Sequence, residues 1–151
     1  MDIKSKENRS KNMAKIRSKN TKPEIYIRGL LYAQGLRYRV NYKEAPGTPD
    51  LYFIGPNVSI FINGCFWHRH KGCKYAYMPK SNISFWERKF QNNINHDNIV
   101  RQKNAEQGIR ELVIWECTVK QMQKDEIFRE RIVKTIVNYI FRNQGVAFLE
   151  I

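Results

Sequence analysis

The feature that most constrains this fold is a set of four soft metal-ligand side chains split between two distant parts of the chain. Three lie in one short segment, Cys65-Phe66-Trp67-His68-Arg69-His70-Lys71-Gly72-Cys73, with four residues between Cys65 and His70 and two between His70 and Cys73. The fourth, Cys117, closes an apolar run of Leu112, Val113, Ile114 and Trp115 that reads as a buried strand ending at Cys117. Three thiolates and one imidazole are a donor set that zinc takes in closed, four-coordinate structural sites. With every position filled by protein, no place remains for water, so the expected zinc is structural. A fold of this chain must then bring that strand against the loop after residue 64. Three cysteines cannot all pair, and in a reducing compartment such a set more often holds metal or stays free than forms disulfides.

The chain has 151 residues, enough for one domain with a real core. Its 27 Lys and Arg against 14 acids give a net charge of +13, which points to nucleic acid as the partner, ahead of an anionic membrane surface. No run reaches the roughly 18 apolar residues of a spanning helix, and the first residues lack the apolar core of a signal peptide. A cytoplasmic protein is expected. Residues 1–22 carry eight Lys or Arg and two acids and read as a basic DNA-binding arm that orders on a partner, leaving 23–151 as the domain. Within the arm Met13 and Ile16 share one side of a helical turn, facing either the protein's own core or a partner.

Thr21, Pro23 and Glu24 give a cap, an early proline and a first-turn acid, and Ile27, Leu30 and Leu31 continue a helix up to Gly35. A strand is expected over 37–41, then a forced turn at Pro46, Gly47, Thr48 and Pro49, from which Asp50 emerges. Residues 51–54 and 58–62 form a hairpin around Gly55, Pro56 and Asn57. Phe85, Trp86, Phe90 and Ile94 support a helix from about Ser84, closed by Gly108, and Phe128, Ile132, Ile136 and Ile140 mark another. Residues 146–151 add a last short strand. The pattern is that of a mixed α/β domain, a small sheet flanked by helices, whose strand order the sequence does not reveal.

Metal-dependent nucleases hold magnesium with acids placed like Asp50, at a strand start, and Glu24, on an earlier helix. Each also has an ordinary reading, Asp50 as a turn residue and Glu24 as an acid at a helix N-terminus. His68 is left over from the zinc set and is either a general acid or base or a surface or phosphate contact. Lys89 and Asn93, one turn apart on the helix of Trp86, are either readers of base edges or part of a solvated face.

Met13-Ala14-Lys15-Ile16-Arg17-Ser18-Lys19-Asn20-Thr21-Lys22-Pro23-Glu24, Pro46-Gly47-Thr48-Pro49-Asp50-Leu51, Asn63-Gly64-Cys65-Phe66-Trp67-His68, Phe85-Trp86 and Trp115-Glu116-Cys117 occur in order. Together they resemble the very short patch repair (Vsr) DNA mismatch endonucleases over residues 10–120. The resemblance implies a restriction-endonuclease-like fold and a magnesium-dependent nick 5′ to the mispaired T of a T:G mismatch. It also implies a monomer linked functionally to a cytosine-5 DNA methyltransferase, whose deaminated product creates the mismatch, and to repair proteins. Asp50 then matches the magnesium-binding aspartate, Glu24 the acid that organises water around that metal, and His68 the catalytic histidine. Cys65, His70, Cys73 and Cys117 match the zinc ligands. Phe66, Trp67 and Trp86 match aromatics that insert beside the mismatch, and Met13 and Ile16 match apolar residues entering from the opposite groove. A T:G wobble pair is easier to pry open than a matched pair, so wedging aromatics would find it by its deformability.

The tripeptide Ile62-Asn63-Gly64 stands where the wider restriction-like superfamily carries an acid-x-Lys sequence. The main-chain carbonyl of Ile62 can bind magnesium whatever its side chain. Asn63, where some relatives carry His or Asp, cannot accept a proton, which shifts that burden to His68. Two rivals remain at this stage: a restriction-like nuclease with another target, and a zinc-braced DNA-binding module without catalysis. The Glu24, Asp50 and His68 set weighs against the second, since a binder has no need of two carboxylates near phosphate.

Overall fold

Thr21 opens the first helix as its sequence predicts. Its Oγ1 accepts the Glu24 N–H at 3.4 Å, and Pro23 occupies the first turn, where it forfeits no hydrogen bond. The computed structural model describes residues 19–143 and 145–151, so Met13, Ile16 and most of the basic arm lie outside the described residues. Helix α1 (Lys22–Ala33) buries Ile27 and Leu31 and gives way at Gly35, whose φ of +84° suits glycine.

Strand β1 (Arg39–Val40) is shorter than the expected 37–41, and both its residues are exposed at the sheet edge. Tyr38 instead turns its hydroxyl to donate to the Arg28 carbonyl at 2.7 Å, tying α1 to the start of the sheet. The turn at 46–49 leads into β2 (Leu51–Phe53), which pairs antiparallel with β1 and with β3 (Val58–Asn63). Asn57, at φ +62°, makes the hairpin turn between them, a conformation Asn tolerates well. Helix α2 (Ile83–Glu106) follows the cysteine and histidine loop and ends before Gly108, at φ +70°. Strand β4 (Arg110–Trp115) then lies parallel to β3, with Ile60 beside Leu112 and Asn63 beside Trp115.

One expectation fails here. The strand ends at Trp115, and Cys117 lies in the first turn of a helix, α3 (Glu116–Lys124). The apolar run stops where the sheet stops, and Glu116 begins a helical surface by pairing with Lys120 at 3.3 Å. Asp125 caps α4 (Glu126–Phe141) by accepting the Phe128 N–H at 3.0 Å, and β5 (Phe148–Glu150) adds a parallel edge beside β4. The sheet thus runs β1 to β5 in chain order, antiparallel through β3 and parallel beyond it. No helix among the described residues is long and apolar enough to cross a membrane.

Every residue of β4 is buried, as a central strand covered on both faces must be. Leu112 and Ile114 join Leu51, Ile60, Met122 and Ile136 in the main core, while Val113 and Trp115 face the cysteine loop. Tyr139 is fully buried and its hydroxyl sits 3.1 Å from the Glu111 carbonyl and 2.8 Å from that of Val146, fixing α4 against the sheet. Arg110 is buried and has no carboxylate partner among the described residues. Its guanidinium instead donates to the Tyr139 and Ile140 carbonyls of the last turn of α4, and to the Asn143 carbonyl, which also accepts the Val146 N–H. Arg110→Met should therefore lower unfolding stability by about 2 kcal/mol, since it takes the guanidinium donors from the Tyr139 and Ile140 carbonyls. Urea denaturation measures this, and an unchanged midpoint would contradict it.

Candidate active site and metal centre

The end of β3 and the end of β4 lie side by side, and the loop after one and the helix after the other supply the metal ligands. Cys65, His70, Cys73 and Cys117 present ligand atoms that all lie within 4.8 Å of one another, so together they can hold a metal ion. The Cys117 Sγ is 3.4 Å and the Cys65 Sγ 3.6 Å from the His70 Nδ1. A tetrahedral zinc with bonds of about 2.3 Å to sulfur and 2.0 Å to nitrogen would set sulfur to nitrogen edges of roughly 3.5 Å, which the donors match. His70 is held flat on Trp115, ring centroids 4.2 Å apart and planes 6° from parallel. The loop turns back through main-chain hydrogen bonds from His70 to Cys65 and from Cys73 to His70, and the Cys117 N–H donates to the Cys65 Sγ at 3.4 Å. Burial pushes the Cys65 thiol up to about 12 and raises that of Cys117, so a metal entering here must displace protons that the bare site retains.

Two acids meet at the same end of the sheet. Asp50 leaves the 46–49 turn at the start of β2, and its Oδ2 accepts the Ile62 N–H of β3 at 2.7 Å. Gly47 in that turn has φ +73°, and a Cβ there would lie 2.7 Å from a Val100 methyl of α2, so only glycine allows the turn to pack this closely. Glu24 is almost fully buried, its Oε2 accepting from the Asn20 N–H at 2.7 Å and from Arg28 at 3.3 Å. Burial pushes the Asp50 carboxyl up to about 7; Glu24 adds to the rise, and the Ile62 N–H, Arg28 and His68 oppose it.

His68 completes the group. Its Nδ1 lies 2.7 Å from the Asp97 Oδ2, which leaves Nε2 as the nitrogen open to a substrate. Both side chains line a cavity of about 90 Å³ between α2 and the sheet, with Asn63, His96 and Glu111. Next to it the aromatics meet edge to face: Phe66 lies 5.1 Å from Trp67, 5.5 Å from Trp86 and 5.1 Å from Phe90. Asn93 secures this arrangement by donating from Nδ2 to the Trp67 carbonyl at 2.9 Å.

The structure thus brings together Glu24, Asp50, Ile62 and His68 at one end of the sheet, gathers the four metal ligands beside them, and clusters Phe66, Trp67 and Trp86 on the loop and α2. Asn93 has its amide nitrogen engaged within the loop, and Lys89, one turn earlier, is exposed. Asp97 and Arg28 escaped the reading of the sequence. A helical wheel carries a signal for the first: Trp86, Phe90, Asn93 and Asp97 recur at alternating steps of four and three, one face of α2. Nothing in the pattern singles out Arg28, an ordinary i+4 partner of Glu24 until Asp50 is seen beside it.

These features define a basic mixed α/β protein whose four-ligand cluster adjoins paired carboxylates and a histidine held on an acid. The family model of the DNA mismatch endonuclease Vsr matches residues 1–74. A type II nicking enzyme of Neisseria meningitidis serogroup A, V.NmeAIP, is 40% identical over 136 residues, covering 89% of this chain and 94% of the relative. V.XorIIP, a type II nicking enzyme of Xanthomonas oryzae pv. oryzae, is 39% identical over 118 residues, 78% of this chain and 86% of its own. The DNA mismatch endonuclease Vsr of Escherichia coli is 36% identical over 137 residues, 89% and 87% of the two chains. The chain belongs to the Vsr family of DNA mismatch endonucleases.

The carboxyl of Asp50 carries a consequence for stability. Its folded value of about 7 lies above the ordinary 3.8, so the unfolded chain releases this proton first. The stabilisation from the neutral carboxyl is complete below about 4 and is lost as the pH rises through about 7. Asp50→Asn keeps an acceptor for the Ile62 N–H and removes the buried charge. At pH 8, without added divalent cation, it should raise unfolding stability by on the order of 2 kcal/mol and flatten the pH dependence between 4 and 7. Denaturation of both proteins across that range tests this, and parallel pH profiles would refute it.

Proposed function

We propose that this protein is a strand-specific, magnesium-dependent DNA endonuclease that nicks 5′ to the mispaired T of a T:G mismatch and so initiates very short patch repair. The observation that carries the reading is the convergence of Asp50, Glu24 and the His68–Asp97 pair beside a loop of aromatics packed edge to face, in a chain of this family. The names of the relatives support it, two being nicking enzymes and one a mismatch endonuclease. The mixed sheet, with Asp50 just before β2 and Ile62 on β3 facing it and Glu24 on the preceding helix, fits a restriction-endonuclease-like fold.

The buried Glu24 and the half-buried Asp50 share one arginine, an excess of acid that a divalent cation suits. Magnesium would be held by Asp50 and the main-chain carbonyl of Ile62, and when bound it supplies charge neutralisation at the scissile phosphate. Glu24, fixed by Asn20 and Arg28, orients the water around that position. Asp97 keeps the His68 imidazole in one orientation, with Nε2 toward the substrate to move a proton or steady the charged phosphate. Asn63 takes no proton at neutral pH, so proton handling rests on His68. Zinc in the Cys65, His70, Cys73 and Cys117 cluster braces the loop that carries both His68 and the wedge.

Phe66, Trp67 and Trp86 enter the duplex beside the weakly stacked wobble pair, and Met13 and Ile16 of the arm approach from the opposite groove. Residues 1–22 form the DNA-binding arm and 23–151 the endonuclease domain. The excess positive charge supplies phosphate attraction, which raises affinity without reading sequence. Lys89 and Asn93 contact DNA from the wedge side of α2, Lys89 directly and Asn93 while it holds the Trp67 carbonyl. The protein acts as a monomer in the cytoplasm, downstream of a cytosine-5 methyltransferase and alongside repair proteins.

End-labelled duplexes with one T:G pair in varied flanking contexts test the reading directly. Magnesium should permit a single nick 5′ to the mismatched T, which Asp50→Ala abolishes while mismatch binding survives. Absence of any nick despite tight mismatch binding would instead favour a zinc-braced binding module. Equal cleavage of matched duplexes would favour a restriction-like nuclease with another target. Asp97→Asn should cost roughly a hundredfold in single-turnover rate with little change in mismatch affinity. A rate equal to that of the parent would remove Asp97 from the mechanism.

A further inference from the structure

Arg69 sits between His68 and His70, and neither the chemistry nor the metal cluster uses it. Its guanidinium makes three hydrogen bonds, all to main-chain carbonyls: Nη1 donates to Phe66 and to Tyr77 at 3.1 Å each, and Nη2 to Ala76 at 2.8 Å. The two ends of the loop that carries the wedge and the metal ligands are thereby joined through one side chain. The same planar group lies 3.8 Å from the centre of the Phe90 ring on α2 and 5.6 Å from that of Phe66. Arg69 thus fastens the loop to itself and to the helix that supplies Trp86.

The backbone at this residue makes the assignment sharper. Arg69 has φ +55°, a left-handed conformation that disfavours residues other than Gly and Asn. Among the described residues, the other non-glycine positions with positive φ are Asn20, Asn41, Asn57 and Asn82, together with Thr48. Gly or Asn would suit the backbone at 69 better, so what favours arginine there is its side chain. That side chain is half-buried, and with three of its five N–H donors held by carbonyls it is not the free phosphate contact that a basic protein's arginine usually is. We infer that Arg69 is a positioning residue for mismatch recognition, which holds Phe66 and Trp67 in their wedge arrangement on α2 before DNA arrives.

The inference rests on the wedge role given above to Phe66, Trp67 and Trp86. A wedge set in advance spares the mismatched duplex the ordering of a loop, and it favours only a pair soft enough to yield to a rigid insert. Lysine retains the charge and three donors, but on a single nitrogen, so it can neither hold the carbonyls with a rigid fork as arginine does nor stack as a plane. Glycine relieves the backbone and removes the side chain altogether.

The test uses the full-length protein, its Arg69→Lys and Arg69→Gly variants, and Trp67→Ala as a control. Metal content, melting temperature and the ratio of dissociation constants for T:A and T:G duplexes of one sequence are measured, binding being followed without added divalent cation. Both Arg69 variants should keep their metal and a single cooperative melt, while the discrimination ratio falls about tenfold or more. On T:G substrate KM should rise more than kcat falls. Unchanged discrimination in both Arg69 variants, with Trp67→Ala impaired, would overturn the role of Arg69 alone. Loss of bound metal in step with loss of discrimination would overturn it too, by making Arg69 a scaffold of the metal loop. Unchanged discrimination in Trp67→Ala would overturn the wedge reading and this inference with it.

Discussion

The parallel pairing of β3 with β4 is the constraint on which the rest depends. Its register sets Asn63 beside Trp115, so the chain leaves the sheet twice at neighbouring points. From one exit comes the loop with Cys65, His68, His70 and Cys73, and from the other the helix with Cys117. The same end of β3 offers the Ile62 N–H to Asp50, which draws the 46–49 turn and the start of β2 to this place. A one-residue slip would turn Val113 and Trp115 away from the loop and leave His70 without the ring it stacks on. The metal cluster and the acidic group are therefore two products of a single strand register.

Strain and uncompensated charge collect where that register brings groups together. Among the described residues, the two with positive φ that are neither Gly nor Asn, Thr48 and Arg69, flank the site, one on the turn before Asp50 and one on the loop after His68. Asp50 is held half-buried against Glu24, an arrangement unfavourable for a metal-free protein and favourable for one that takes up a cation. The His68–Asp97 contact crosses from the loop to α2, as do the Asn93 and Phe90 contacts. Helix α2 thus touches both His68 and the aromatic loop.

Much of this was legible from residue pattern because the signals were local. The Thr21 cap, the turn at 46–49, the hairpin around Asn57 and the glycine stop at 108 each depend on a few adjacent residues. The metal set was legible because three ligands share one loop. What could not be read was set by tertiary pairing. The strand order of the sheet, the helix that begins at Glu116 and the shortness of β1 depend on which edge meets which neighbour. The pairing of Asp97 with His68 is also of this kind, since two residues distant in sequence meet only once α2 lies along the loop. The signal for Asp97 existed on the helical wheel, but only as a face shared with Trp86.

In the proposed function, recognition by the edge-packed aromatics is separate from chemistry by Asp50, Glu24 and His68. The most direct test places the fluorescent base 2-aminopurine next to the T of a T:G pair and adds the Asp50→Asn protein, which the proposed chemistry leaves unable to nick. A rise in fluorescence with the T:G duplex, and none with the same duplex carrying T:A, is the predicted result. A silent base in both duplexes, or an equal rise in both, would contradict the claim that this loop finds the mismatch by prying it open.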